Sequence, residues 1–210
     1  MRFDDRDHAA VMLARALAHY RGQHPLVLGL PRGGVPMARI IADALDGDVD
    51  VVFVRKLRMP GQPELAIGAL DESGAVIKGR YWDYAPVDYV DQELRHQREI
   101  ISGRRRRYTR GQPPIDTAGR LVILVDDGVA TGSSMVSAAR AIRQRKPAKV
   151  VIAVAVAPPE SIATIEDDAD DVVCLYSPEE FYAVGQFFDD FSEVSDDAVI
   201  VALTRTPAGR

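Results

Sequence analysis

The sequence predicts an α/β fold, a mostly parallel sheet with helices on both faces. Three observations carry this expectation. Short runs of Val, Ile and Leu are apolar throughout rather than at alternate positions, as in strands buried on both faces. These runs alternate with segments whose apolar residues recur at helical spacing, which is the element order of a parallel sheet. The composition also suffices for a core: 47% of the 210 residues are hydrophobic and 27% charged. A chain of this length buries roughly 70% of its unfolded surface.

From Arg6 to Tyr20 the residues Ala10, Leu13, Ala14, Leu17 and Ala18 form one helical stripe, which Gly22 ends. Pro25 to Leu30 is a short strand, followed by the loop Pro31-Arg32-Gly33-Gly34 and a helix over Val35 to Leu45. Val49 to Val54 reads as the next buried strand. Ala66 to Leu70 and Ala75 to Ile77 flank Asp71-Glu72-Ser73-Gly74, a turn-rich spacer that predicts a hairpin. Val87 to Ile101 has sparse apolar positions and reads as a largely exposed helix. Pro113-Pro114 lies in its connection to the clearest strand, Leu121 to Val125. Helix Ser134 to Arg145, strand Val150 to Val156, and the segments Glu160 to Glu166, Val172 to Tyr176 and Asp196 to Leu203 complete the alternation. Ligands bind such sheets outside the carboxyl ends of the strands. The loops after Leu30, Val54 and Val125 therefore matter most.

Composition narrows the function classes. Lys and Arg total 26 against 31 Asp and Glu, a formal charge of -5, whereas a general nucleic-acid binder carries a basic footprint. The single cysteine, Cys174, cannot form an internal disulfide or a Cys-rich zinc site. It sits in the apolar run Val172 to Tyr176 and reads as a small buried hydrophobe. His8, His19, His24 and His96 show no ligand spacing. No apolar stretch approaches ~18 residues without a charge, so no membrane span is expected. The opening Met1 to Asp7 is too charged for a secretion signal, and the expected location is the cytoplasm.

The most informative stretch is Val122-Ile123-Leu124-Val125-Asp126-Asp127-Gly128-Val129-Ala130-Thr131-Gly132-Ser133-Ser134-Met135. A buried strand delivers two adjacent carboxylates at its carboxyl end, where unpaired buried charge is costly. The small residues and hydroxyls that follow lead into a helix. Free amides at a helix N-terminus bind anions, and small residues let the backbone approach them closely. Phosphate suits the Thr-Gly-Ser-Ser half, and hydroxyls or a metal suit the Asp-Asp half. A ribose phosphate carries both groups a few ångströms apart. A surface turn with solvated aspartates would explain a lone Asp-Asp but not the whole string.

The segment resembles the signature of the type I phosphoribosyltransferases: four apolar residues, two acids, a short apolar run, then Thr-Gly and small residues. The resemblance implies an enzyme that moves the phosphoribosyl group of 5-phosphoribosyl-1-pyrophosphate (PRPP) to a nitrogenous acceptor, a nucleobase or related compound, releasing pyrophosphate. It implies that Asp126 and Asp127 hold the ribose hydroxyls and that Ala130 to Ser134, with Gly128 and Val129 leading in, wrap the 5-phosphate. Mg2+ would be the cofactor, touching Asp126 and Asp127 indirectly through hydroxyls or water. The family organisation implied is a single domain over residues 1–210, with a hairpin and helix insertion at about 65–112 and a variable hood at about 177–195. A homodimer is a further possibility under this resemblance.

The same resemblance gives other segments roles. Pro31-Arg32-Gly33-Gly34 corresponds to the family's pyrophosphate loop, in which Arg32, Gly33 and Gly34 face the leaving group and a cis peptide is often present. Arg55-Lys56-Leu57-Arg58 ends a strand with three cations in four residues; Arg55 and Lys56 are expected at the pyrophosphate or the 5-phosphate, a solvated charge cluster being the alternative. Met59-Pro60-Gly61-Gln62-Pro63 resembles the mobile catalytic loop. Glu64 just beyond it is either functional or a simple exposed acid. Catalytic roles thus fall on Arg55, Lys56, Glu64, Asp126 and Asp127. The hood aromatics Phe181, Tyr182, Phe187, Phe188 and Phe191 either stack an acceptor ring or pack a small core, and Trp82 and Tyr84 share that ambiguity.

One departure is informative. The 6-oxopurine enzymes carry an acid immediately before Thr-Gly, where this chain has Ala130. That speaks against hypoxanthine or guanine and leaves the general base unassigned. Arg104-Arg105-Arg106-Arg107 is short and lies in an acidic chain, so it reads as a solvated helix end or as cations at a helix C-terminus. Two other functions use the same fold: a non-catalytic sensor of PRPP or nucleotides, and an enzyme performing phosphorolysis of a ribose phosphate.

Overall fold

The computed structural model describes residues 1–204. Strand β1 (Leu26–Gly29), helix α2 (Gly34–Leu45) and strand β2 (Asp48–Val51) follow helix α1 (Arg6–Ala16). After β6 (Leu121–Gly128), α4 (Ser133–Gln144), β7 (Lys149–Val156), α5 (Pro159–Glu166) and β8 (Asp171–Tyr176) continue the alternation. These strands form one five-stranded sheet in the order β2-β1-β6-β7-β8, with every pairing parallel. The α/β expectation holds.

The apolar runs follow from this arrangement. Successive side chains of a strand point to opposite faces, and here both faces are covered. Ile123 and Val125 join the core under α1 and α2, with Leu13, Met37 and Ile41. Val122 and Leu124 join the core under α4 and α5, with Met135, Ile142 and Ile165. Neither face of β6 can therefore tolerate a polar residue until Asp126, where the strand emerges from between the helices.

One strand reading changes. The run Val49 to Val54 is not one strand: β2 ends at Val51, and β3 (Val54–Met59) leaves the main sheet to pair antiparallel with β4 (Gln62–Asp71). Val52 and Phe53, both buried between the two strands, account for the continuous apolar signal. The segment read as a catalytic loop is the tight Pro60-Gly61 turn of this hairpin, with Met59 opposite Gln62 and Gly61 at φ +74°. Pro followed by Gly at positive φ is the pattern of a type II turn. The expected hairpin around Asp71 to Gly74 is present as β4 and β5 (Val76–Lys78). The resulting three-stranded sheet packs on α3 (Val87–Thr109) and α6 (Asp196–Leu203) through Leu57, Ile67, Leu70, Val90, Ile101 and Val199.

α3 extends eight residues past the expected end and takes in the arginine run, which is not simply solvated. Arg105 is buried: its Nη2 donates to Asp50 Oδ2 at 2.7 Å, and its Nη1 lies 3.4 Å from Glu72. Arg145 completes the cluster, 2.9 Å from Asp71 and 3.6 Å from Glu72. Glu72 Oε2 is buried without a hydrogen bond. Burial outweighs both arginines and pushes the Glu72 pKa up to about 7. Between pH ~4.5 and ~7 the unfolded chain has lost this proton while the folded chain keeps it, so stability falls as pH rises through that window. Glu72→Gln, which mimics the protonated form, is expected to gain on the parent progressively from pH 5 to 8, by roughly 3 kcal/mol at the upper end. Parallel urea melts check this; identical pH slopes in the two proteins would refute it.

Candidate active site

β6 delivers Asp126 and Asp127 at the carboxyl end of the main sheet. The Asp127 amide donates to Asp126 Oδ1 at 3.0 Å. Burial and the adjacent Asp127 carboxylate push Asp126 well above the usual carboxylate range. Burial also raises Asp127, opposed by Arg6, whose Nε donates to Asp127 Oδ2 at 2.7 Å. Arg6 additionally donates to the Ser192 carbonyl at 2.8 Å and stacks over the Phe191 ring, 3.8 Å from its centroid.

Beyond the acids, Gly128 ends β6 beneath Val184, and the Val129 amide donates to the Val156 carbonyl at 2.9 Å. Ser161 donates to the Ala130 carbonyl at 2.8 Å. These two anchors hold the start of the loop. Among the described residues, no amide from Ala130 to Met135 donates to a protein acceptor. Gly132 caps α4 at φ +77°, ψ -23°, a left-handed conformation that lets the chain turn from the strand end into the helix. A Cβ there would stand 3.3 Å from Thr164 and Ile165 of α5. The glycine is required by backbone conformation and by contact with α5.

Thr131 Oγ1 and Ser133 Oγ lie 3.1 Å apart, and Lys56 Nζ reaches from β3 to hydrogen-bond Ser133 Oγ. Arg55 turns the other way, donating to Gln97 Oε1 of α3 at 2.8 Å. Burial, with Arg104 and Arg58 nearby, lowers its pKa. Strand alternation separates these two neighbours: one meets the loop before α4, the other α3. Glu64 is exposed on β4, and its side chain makes no hydrogen bond or ion pair among the described residues. Ser134 is exposed at the start of α4.

The loop after β1 lies against the acids. A Cβ on Gly33 would sit 2.1 Å from Asp127 Oδ2, so only glycine allows this approach. Gly34 opens α2, and the Pro31–Arg32 peptide is cis. Arg32 is paired with Glu193. The segment 177–195 crosses the strand ends: Phe187 and Phe188 are buried, Phe181 and Phe191 pack on the core, and Tyr182 is 88% exposed. Four of the five hood aromatics are thus packing residues. Sequence reasoning missed Arg6, Ser192 and Glu193. No local pattern links Arg6 to an acid 121 positions away.

Residues 5–191 match the family described as the phosphoribosyl transferase domain. This chain belongs to that family. The phosphoribosyl transferase domain here is 43% identical over 209 residues to two Mycobacterium tuberculosis proteins, strains CDC 1551 / Oshkosh and ATCC 25618 / H37Rv, each named "putative phosphoribosyl transferase". The match covers 97% of this chain and 46% of theirs, so the chain spans about half the length of those relatives. The crystal structure of TT1426 from Thermus thermophilus is 46% identical, with a TM-score of 0.88 over 97% of this chain and 98% of that one. A purine phosphoribosyltransferase from Pyrococcus horikoshii Ot3 shares the fold at 16% identity and TM-score 0.50, over 92% of this chain and 99% of that one. No helix among the described residues is long and apolar enough to cross a membrane.

Proposed function

We propose that this phosphoribosyl transferase domain transfers the phosphoribosyl group of PRPP to a nitrogenous acceptor and releases pyrophosphate. The observation that carries this reading is the run of unpaired amides from Ala130 to Met135, with Lys56 on Ser133, immediately after the paired acids of β6. Phosphate fits the amides, and two ribose hydroxyls fit Asp126 and Asp127. In the reaction the bond from the anomeric carbon to pyrophosphate breaks as the bond to nitrogen forms, and the acceptor loses a proton. Catalysis of such a step is mainly positioning and neutralisation of the leaving charge. Arg32, Gly33 and Gly34 are read as facing that charge. Tyr182 is the hood aromatic free to meet the acceptor ring.

Two carboxylates, one of them tied to Arg6, are too few for a protein-built cage. They suit Mg2+, which keeps several waters and binds through one or two carboxylates and substrate phosphates. Asp126 and Asp127 would hold it indirectly, where it supplies positive charge to the diphosphate. The domain is read as acting on small molecules rather than nucleic acid, in the cytoplasm.

Because Lys56 meets the loop assigned to the unreactive 5-phosphate, it binds ground state and transition state alike. Lys56→Ala is therefore expected to raise KM for PRPP by about 10- to 100-fold and to leave kcat within about threefold. A loss in kcat at unchanged KM would move Lys56 to the leaving group. The function itself is tested by pyrophosphate release from PRPP across a panel of nitrogenous bases. Release with one base supports the reading. Tight PRPP binding without release in any case would favour the sensor, and phosphate-dependent cleavage of a ribose phosphate the phosphorylase.

A further inference from the structure

The residues before α1 are tied to the hood along the backbone. The Phe3 amide donates to the Phe187 carbonyl at 2.8 Å, and the amides of Asp189 and Asp190 donate to the carbonyls of Phe3 and Asp4 at 2.9 and 2.8 Å. Phe3 is fully buried, its ring centroid 5.2 Å from that of Phe188. Asp5 then caps α1 by accepting from the His8 amide at 2.7 Å, which makes Arg6 the first residue of the helix. The Arg6 backbone is thus held between the cap and the hood. Its side chain reaches three partners by three different means. Nε donates to Asp127 Oδ2, Nη1 donates to the Ser192 carbonyl, and the guanidinium carbon lies over the Phe191 ring. Among the described residues Arg6 is the only cation paired with either acid at the end of β6. Asp127 itself makes no hydrogen bond to the hood among those residues. Arg6 is the bridge between them.

We propose that Arg6 is a positioning residue that holds Asp127 and the hood residues Phe191 and Ser192 in one arrangement, so that binding at the paired acids tightens the hood. The proposal rests on the reading of Asp126 and Asp127 as the ribose acids. The guanidinium suits this task because its donors lie in a rigid plane, so one group can serve a carboxylate and a carbonyl while its face meets a ring. An ammonium is a single point of charge and can keep the carboxylate but not all three partners. The direction of the effect follows from linkage. An Arg6 placement that favours a ligand at Asp127 must itself be favoured by that ligand, by the same factor. The hood, bonded to Arg6 at Ser192, is then held more firmly when the acids are occupied.

The test is amide hydrogen exchange at Asp189 and Asp190, read beside calorimetric PRPP affinity, in the whole chain and its Arg6→Lys and Arg6→Met variants. PRPP is expected to slow exchange at both amides of the parent about fivefold or more. Arg6→Met is expected to weaken PRPP binding about tenfold or more and to speed exchange at both amides. Arg6→Lys is expected to bind PRPP within about threefold of the parent, because the ion pair to Asp127 persists. Its hood should nevertheless exchange as fast as that of Arg6→Met, with no slowing by PRPP. A role in folding alone would speed the amides of β7 as well and would not split affinity from exchange. Should Arg6→Met fail to fold, that split in Arg6→Lys decides the matter by itself. Equal PRPP affinity and equal hood exchange in all three proteins would overturn the proposal, as would slowing by PRPP that survives in Arg6→Lys. A parent that binds no PRPP would retire the transferase reading; faster hood exchange in both variants, with β7 unchanged, would still establish the tie between Arg6 and the hood.

Discussion

Asp126→Asn combined with Asp127→Asn is expected to leave a folded protein whose affinity for PRPP, under the proposed function, is at least about 100-fold weaker, since two charged acceptors of hydroxyl hydrogen bonds become neutral ones. The fold survives because both side chains lie beyond the apolar part of β6, which supplies the core contacts. The single substitutions differ in stability. Asp126 is held above its ordinary pKa by burial and by Asp127, so its ionisation opposes folding. From the ordinary carboxylate pKa up to the raised one, the folded state retains a proton that the unfolded state has released. Stability falls as pH rises across that window. Asp126→Asn removes this slope and is expected to raise the thermal midpoint near neutral pH. Burial outweighs Arg6 at Asp127 as well, so Asp127→Asn is expected to shift the midpoint with the same sign but by less, because it also deprives Arg6 of its charged partner in a pair whose side chains are each 14% exposed. Calorimetric PRPP affinity together with melts at pH 5 and pH 8 checks both parts. Unchanged affinity in the folded double variant would remove the acids from the site. A destabilising carboxylate retained at the proposed ligand site fits the trade between stability and function.

The second large effect is at Gly132. Gly132→Val is expected to abolish PRPP-dependent activity, because φ +77° is strongly unfavourable for a β-branched residue and a shift of the backbone there displaces the loop that carries the unpaired amides from Ala130 to Met135. The sequence alone, read as an exposed loop, predicts that the melting point hardly changes. The structure alters that expectation: Gly132 is buried, and an added Cβ meets Thr164 and Ile165 of α5 at 3.3 Å. The left-handed conformation alone costs roughly 1–2 kcal/mol for a non-glycine residue. The midpoint should therefore fall by about 2–8 °C while the chain still folds. Gly132→Ala should fall less. Full turnover in the Val variant, with phosphate still raising its midpoint, would place the 5-phosphate elsewhere.

What could be read from the sequence was short-range. The all-apolar strands record burial on both faces of one parallel sheet, a property of each strand's own environment. The string from Asp126 to Ser134 has its acids, hydroxyls and glycine within nine consecutive positions, so a strand end and a helix start bring them together without help from the rest of the chain. Strand alternation even contained the separation of Arg55 from Lys56, although the adjacent cations suggested a shared role.

The tertiary structure decided everything that depends on docking. It split the continuous run Val49 to Val54 between two sheets, because Val52 and Phe53 stay buried across the crossing. It set Arg6 of α1 on Asp127 and on the Ser192 carbonyl, and Glu193 on Arg32. It turned one arginine of the α3 run inward to Asp50 and aimed two of its neighbours at the loop after β1. Hydrophobic periodicity specifies which face of an element is buried, but the charged partner it meets depends on the relative placement of whole elements. Pairs separated by more than a hundred residues leave no trace in local spacing.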